Sequence, residues 1–311
     1  MALTRLVKLL LRLLRFPNLL VVALTQYLVA YHVLRPALLA NDIAPALSDW
    51  KFIELAVITV LITASGYVVN DLQDEELDDI NRPGTNPVQE LGRDQVLWYY
   101  GAMLLAGFLV SQLLAFRLGE THLLWIYPLA ISILALYSVY LKRRPLLGNI
   151  LVAFYCAGVP GVVLLAERDA IRNLYDVAPV AAGEALSVCF LFMLFAFIAT
   201  LLRELVKDLE DLKGDTQAGR KTIPVLWGPA AGRRIAVGMA GLTIAAILSP
   251  ILLGWTAFQQ PLLIGACLLL IASLAIIAVQ IIRAGAVKDY HRISTELKVL
   301  LFAGLLLLIF V

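Results

Sequence analysis

Two short stretches carry most of the chemistry that this sequence could do. The first, NDLQDEELDDINR at 70–82, packs six acidic side chains into thirteen residues, directly after the apolar run LAVITVLITASGYVV. The second, RELVKDLEDLKGD at 203–215, follows another apolar run, LSVCFLFMLFAFIATLL. In the first, Asn70, Asp74 and Asp78 are spaced i, i+4, i+8, and Asp71 precedes Asp74 by three. At 3.6 residues per turn these positions share one helical stripe. In the second, Glu204, Asp208, Asp211 and Asp215 follow at steps of four, three and four, with Gly214 placed to end the helix and turn Asp215 back. Like charges so spaced repel, and destabilise a helix unless positive charge compensates. Glu75, Glu76, Asp79 and Glu210 fall off the stripes and are expected to face solvent.

Carboxylates presented in this way suit hard divalent cations. Mg2+ takes oxygen ligands, keeps several waters, and is commonly held by one or two carboxylates together with substrate phosphate oxygens. Two such clusters can hold metal ions with a diphosphate between them. Cations stand where that ligand needs them: Lys142, Arg143 and Arg144 in LKRRPLLGN, and Arg220 and Lys221 in GRKTIPVLWG. Arginine offers a bidentate fork to phosphate and lysine a point charge. Acids alone would equally suit a cation transporter. One such cluster could also be a solvated rim of weak surface pairs, but two with matched periods favour a metal–diphosphate site.

The elements that must position these residues are membrane helices. Of the 311 residues 61% are hydrophobic and 15% charged, with a mean hydropathy of +0.87; soluble domains carry about 25% charged residues. The apolar runs are continuous and lack the alternation of membrane strands, so helices, not a barrel, are expected. The expected spans are 18–40, 50–70, 96–116, 122–141, 147–166, 185–203, 235–255, 261–282 and 296–311. This is an all-α integral membrane protein of about nine transmembrane helices, read as a single domain over 1–311. Of the 25 Lys and Arg, all but Arg35, Lys51, Arg117, Arg168 and Arg172 fall on one side of these spans. By the positive-inside rule that side is cytoplasmic, in an inner or plasma membrane, with the N-terminus in and the C-terminus out. Both acidic clusters lie on that face, at the ends of the second and sixth spans.

The start, LTRLVKLLLRLLRFPNLL, spaces Arg5, Lys8, Arg12 and Arg15 by three or four residues between leucines. Over 1–17 this predicts a retained basic amphipathic helix lying at the membrane surface; no small-residue cleavage site follows it. Cys156, Cys189 and Cys267 fall within spans and show no metal spacing, and His32, His122 and His291 are isolated with no role assigned. Membrane lipid is the surrounding partner; nothing points to nucleic acid or to an obligate protein partner.

The acidic stretches resemble those of the UbiA-type intramembrane prenyltransferases. NDLQDEELDDINRP is similar to their first motif, N-D-x-x-D-x-x-x-D. KDLEDLKGDTQAGRKTIPVLWG is similar to their second, D-x-x-D-x-x-x-D with a Gly-Arg-Lys-Thr-like tail, and YSVYLKRRPLLGN resembles the basic loop after the fourth helix. The second motif is nearest the branch that includes the geranylgeranylglycerol-phosphate geranylgeranyltransferases; chlorophyll and homogentisate enzymes share a related form. The resemblance implies helices around a central cavity, and Mg2+-dependent transfer of a prenyl group from a prenyl diphosphate to a lipophilic acceptor. It implies that Asn70, Asp74 and Asp78 hold one Mg2+ with Asp71 assisting. Asp211 and Asp215, supported by Asp208, would hold a second, while Lys142, Arg143, Arg220 and Lys221 meet the diphosphate. One departure stands at Asn86, where the family carries an arginine after the first motif; Arg82 and Arg93 are the substitutes on offer. Glu204 is a candidate base for an acceptor hydroxyl, or the partner of Arg203 or Lys207 in an ion pair.

Overall fold

The computed structural model describes residues 3–75, 84 and 86–311. Among them there are helices and turns and no strand. Among the described residues, eight helices are long and apolar enough to cross a membrane. In chain order the elements are α1 (Leu3–Leu13), α2 (Phe16–Leu39), α3 (Asp49–Gln73), α4 (Pro87–Leu91), α5 (Arg93–Leu118) and α6 (Ile126–Val139). They continue with α7 (Leu147–Ala166), α8 (Arg168–Val177), α9 (Pro179–Glu210), α10 (Leu212–Gln217), α11 (Ile223–Leu252), α12 (Pro261–Arg283) and α13 (Val287–Leu306). Turns of Thr121–Trp125 lead into α6.

Of the expected ninth span, 296–311, residues 296–306 belong to α13, which begins nine residues earlier. Its first half carries Lys288, Asp289, His291, Arg292 and Glu296, so only its second half is apolar. The sixth helix lengthens most over expectation: 185–203 becomes Pro179–Glu210. The apolar window stops at Leu202, but the helix does not. Arg, Glu, Lys and Leu are strong helix formers, and Leu202, Leu205, Val206 and Leu209 continue a buried face at helical spacing.

The chain divides into two compact units. The first comprises 1–26 and 46–142, with α3 packed on α5 and α6. Tyr127 on α6 crosses so close to Gly107 on α5 that a Cβ there would stand 2.5 Å from its hydroxyl, which donates to Leu104 O at 2.9 Å. At the end of this unit that carries the first acidic cluster, Leu9 and Leu13 of α1 are buried against Val68, Leu72, Val88, Leu91 and Val96. The amphipathic helix expected at the membrane surface is therefore also a packed element. Its basic stripe is partly paired within the protein: Arg5 reaches Glu90 at 2.8 Å, Arg12 reaches Glu90 at 3.8 Å, and Arg15 reaches Asp71 at 2.8 Å.

The second unit comprises 27–45 and 143–311. Its centre is α9, against which α7, α11 and α13 pack. Phe195 of α9 lies on Gly304 of α13, where a Cβ would be 2.4 Å from the ring. α11 is broken once, at Gly228 (φ 80°, ψ 159°), directly before Pro229; only glycine takes that conformation readily, and proline cannot continue the preceding ladder. Residues 168–177 form α8, which buries Ala170 and Leu174 against Leu38 and Ala182.

Candidate active site

The first acidic cluster sits at the end of α3. The helix does not run on through it, as a continuous stripe requires: it stops at Asp74, whose dihedrals are φ −95°, ψ 8°. The Asp74 N–H still bonds to Asn70 O at 2.9 Å, closing the last turn. The second cluster does the same. α9 stops at Asp211, with φ −91°, ψ 7°, and the Asp211 N–H bonds to Lys207 O at 2.8 Å. The break falls three residues before Gly214, which lies inside α10. Dihedrals near −90° and 0° belong to the sparsely allowed bridge region, where turn and active-site residues are found.

Around the first break, every described acid has a cation or a dipole against it. Asp71 is buried; its carboxylate accepts from Arg15 at 2.8 Å, and its carbonyl accepts from Asn86 Nδ2 at 2.7 Å. Asn86 also accepts from Val88 N at 2.9 Å and so caps α4. The residue that departs from the family pattern thus ties the following loop to the motif. Asp74 pairs with Lys142, and Asn70 Oδ1 accepts from Ser138 Oγ at 3.4 Å. Arg93 donates to Leu72 O at 3.1 Å and to Glu75 Oε2 at 3.2 Å, capping the last turn of α3. Glu75, expected to face solvent, is half-buried in that pair. Asp78, Glu76, Asp79 and Arg82 lie outside the described residues, as does the side chain of Arg143.

Around the second break, Asp208 accepts from Asn149 Nδ2 on α7 at 2.7 Å. Asp215 is buried, with Arg220 Nη1 at 3.5 Å and the Arg220 N–H on its own carbonyl at 2.9 Å. Lys221 and Arg144 are exposed. Glu204 is engaged by Arg203 at 2.8 Å and by Lys207 at 3.7 Å, the ion-pair alternative for that residue. Glu210 corrects an expectation: it is buried, and its Oε1 lies 2.9 Å from His291 Nδ1. A histidine with no assigned role therefore holds the last residue of α9 to α13. Nothing local signals this contact, because the two are 81 residues apart. Arg15 and Asn149 were missed for the same reason.

The structure brings Asn70, Asp71, Asp74 and Lys142 together in one unit, and Asp208, Asp211, Asp215 and Arg220 in the other. Among the described residues, no three His, Cys, Asp or Glu side chains converge closely enough to hold a metal unaided. That donor set fits Mg2+, which needs few protein carboxylates when waters and phosphate oxygens complete its shell. The Lys142 ammonium on Asp74 shows that this carboxylate already takes a cation.

An all-α membrane protein with two acidic helix ends, each broken at the second aspartate, defines a class. The UbiA prenyltransferase family model matches residues 21–309, and the chain belongs to that family. It is a prenyltransferase. Digeranylgeranylglyceryl phosphate synthase of Methanoculleus marisnigri is 34% identical over 207 residues, 66% of this chain and 67% of that protein. A solved structure from work on digeranylgeranylglyceryl phosphate synthase in membranes superposes with a TM-score of 0.65 at 18% identity, covering 97% of both chains. A UbiA homologue from Archaeoglobus fulgidus bound to DMAPP and Mg2+ superposes with a TM-score of 0.52 at 18% identity, covering 95% of this chain and 98% of that one.

Proposed function

We propose that this enzyme transfers a geranylgeranyl group from its diphosphate to the free hydroxyl of a geranylgeranylglyceryl phosphate, in a Mg2+-dependent reaction at the cytoplasmic face. The observation that carries the reaction type is the matched break at Asp74 and Asp211 within the two acidic motifs. The acceptor follows the name borne by the relatives, and the cytoplasmic orientation rests on the charge distribution.

In this reading Asn70, Asp74 and Asp78, with Asp71 beside them, would hold Mg2+ for prenyl diphosphate, as would Asp211 and Asp215, with Asp208. The ions would supply positive charge to the diphosphate oxygens as the allylic C–O bond breaks. The chain's own part is to hold the diphosphate in a preorganised cationic setting. Lys142, Arg143, Arg220 and Lys221 meet its oxygens, stabilising the charge that grows on the leaving group. Lys142 would leave Asp74 for a phosphate oxygen when the substrate arrives. Arg15 and Asn149 fix Asp71 and Asp208, so those oxygens need little reorganisation. The acceptor hydroxyl attacks C1, forming the ether bond, and gives up its proton as diphosphate departs with the bonding pair.

Mass spectrometry of products formed from a panel of prenyl diphosphates and acceptors tests this. The acceptors are glycerol phosphate lipids, hydroxybenzoate, naphthoate and homogentisate. The expected product is a diprenylated glycerol phosphate; exclusive prenylation of an aromatic acceptor would overturn the acceptor assignment.

A further inference from the structure

α1 is apolar over more of its circumference than the protein covers. Leu9 and Leu13, flanked by Leu6, Leu10 and Leu14, pack against Val68, Leu72, Val88, Leu91 and Val96. Val7 and Leu11 stand one turn apart beside that face, and they are 45% and 40% exposed. Lys8 lies at the edge of the polar face next to this pair; it is exposed and has no ion pair among the described residues. Arg5 and Arg12, toward the other edge, are the cations turned to Glu90 of α4. One side of the helix is thus engaged by protein, and the other presents two apolar side chains and an ammonium.

The place of α1 in the chain says what covers that side. α2 begins at Phe16, directly after the turn that ends α1, and is long and apolar enough to cross a membrane. Phe16 and Leu20, at its start, are 42% and 55% exposed, so apolar surface is open on both sides of the corner. α1 is therefore held at the boundary between hydrocarbon and water. There, apolar side chains reach the acyl boundary while a lysine meets lipid phosphate. A zwitterionic surface would serve Val7 and Leu11 equally well, but only an anionic one attracts Lys8.

The same corner reaches the first acidic cluster. Arg15 joins α1 to α2 with φ +49°, a left-handed conformation that strains a residue other than glycine. Its guanidinium pairs with Asp71 at 2.8 Å and lies 4.9 Å from the centre of the Tyr67 ring, whose hydroxyl accepts from Asn18 Nδ2 at 3.2 Å. On the other side, Glu90 holds α4 to α1, and Asn86 at the start of α4 donates to the Asp71 carbonyl. Asp71 is gripped through both connections of α1. We propose that α1 docks by Val7, Leu11 and Lys8 on an anionic bilayer surface, and that this contact keeps Arg15 on Asp71, making prenyl transfer dependent on anionic lipid. The effect on turnover rests on the proposed placing of Asp71 beside Mg2+; the docking itself does not.

The test uses the full chain in nanodiscs of phosphatidylcholine alone, or of phosphatidylcholine mixed two to one with phosphatidylglycerol. Prenyl transfer is expected to run about fivefold faster in the anionic discs, the effect of one lysine at a charged surface, and to need less Mg2+ for half its maximal rate. Lys8→Gln should remove that advantage and Lys8→Arg keep it. A spin label on Leu11→Cys reports the docking without turnover, with Cys156→Ser in the same chain because Cys156 is exposed. The label should meet lipid-dissolved oxygen in anionic discs and water-soluble nickel in neutral ones. Arg15→Gln should lower turnover in both lipids and end its lipid dependence while the label still docks. A label that stays in water in both discs would overturn the docking surface. One that broadens against a second label would overturn it too, giving the face to another copy of the chain. Equal turnover of the parent in the two lipids, or lipid dependence that survives Lys8→Gln, would overturn the anionic requirement. Full turnover of Arg15→Gln beside a docked label would overturn the link through Asp71 and uphold the docking.

Discussion

Asp74 and Asp211 stand in the same backbone conformation, φ −95°, ψ 8° and φ −91°, ψ 7°, each at the residue where a membrane helix stops. They are 137 positions apart, at the ends of the second and sixth long helices. In both, the aspartate three residues earlier stays within the helix and is held from outside, Asp71 by Arg15 and Asp208 by Asn149. The same local device, built twice, ties the two acidic clusters to one kind of chemistry.

Removing either carboxylate should stop catalysis and spare the fold. Asp74→Ala and Asp211→Ala are each expected to lower prenyl transfer by about 10²–10³-fold or more, with helical content and detergent-extracted mass unchanged. Both residues are only partly buried, so loss of folding in these variants is not expected. Turnover within threefold of the parent in both would contradict the site.

Lys142 should compete with metal at rest and assist the diphosphate during reaction. Lys142→Met takes the competing ammonium away from Asp74, so Mg2+ affinity without substrate should rise severalfold while kcat/KM for the prenyl diphosphate falls about tenfold to a hundredfold. Titration of intrinsic fluorescence with Mg2+, beside initial rates, reads both. A fall in Mg2+ affinity would show that Lys142 supports the metal site instead of competing for it.

Much of this was legible in the sequence, and for a physical reason. Membrane spans announce themselves by length and apolarity, and acids at helical spacing after an apolar run are rare enough to stand out, so the helices and their two acidic ends followed. The break at Asp74 and Asp211 did not, because neither position carries the glycine or proline that usually signals one. Gly214, which does carry the signal, lies inside α10. Arg15, Asn149 and His291 were illegible as site partners because their acids are 56, 59 and 81 residues away. Pairing at such range is set by tertiary packing.

The Glu210–His291 contact should matter for stability at the second cluster. Glu210 is 5% exposed and His291 67% exposed at the side chain, so solvent screens one end and the loss on His291→Ala is set at ~1 kcal/mol. Glu210→Leu, which removes the buried carboxylate and leaves the exposed His291 to solvent, should cost less than Glu210→Asp, which strands the charge short of the ring. Thermal unfolding of the detergent-solubilised variants ranks them; the reverse order would mean that the pair contributes net stability.

The N-terminal helix should prove structural. Leu13 is 1% exposed among Leu72, Val88 and neighbouring apolar side chains, so Leu13→Ala is expected to cost about 2–5 kcal/mol. Because Arg15 sits two residues further on and holds Asp71, activity should fall with it. Limited proteolysis of the Leu13→Ala protein should cut ahead of α2 sooner than in the parent. Unchanged cleavage would leave α1 as a surface helix only.

The most direct test of the central claim is diphosphate release from geranylgeranyl diphosphate by purified protein in lipid, with and without a geranylgeranylglyceryl phosphate. Release is expected only when acceptor and Mg2+ are both present, one diphosphate per ether-linked product, and chelation should abolish it in the parent just as substitution does in Asp74→Ala and Asp211→Ala. Stoichiometric release that persists after chelation, or that continues in both aspartate variants, would contradict the account.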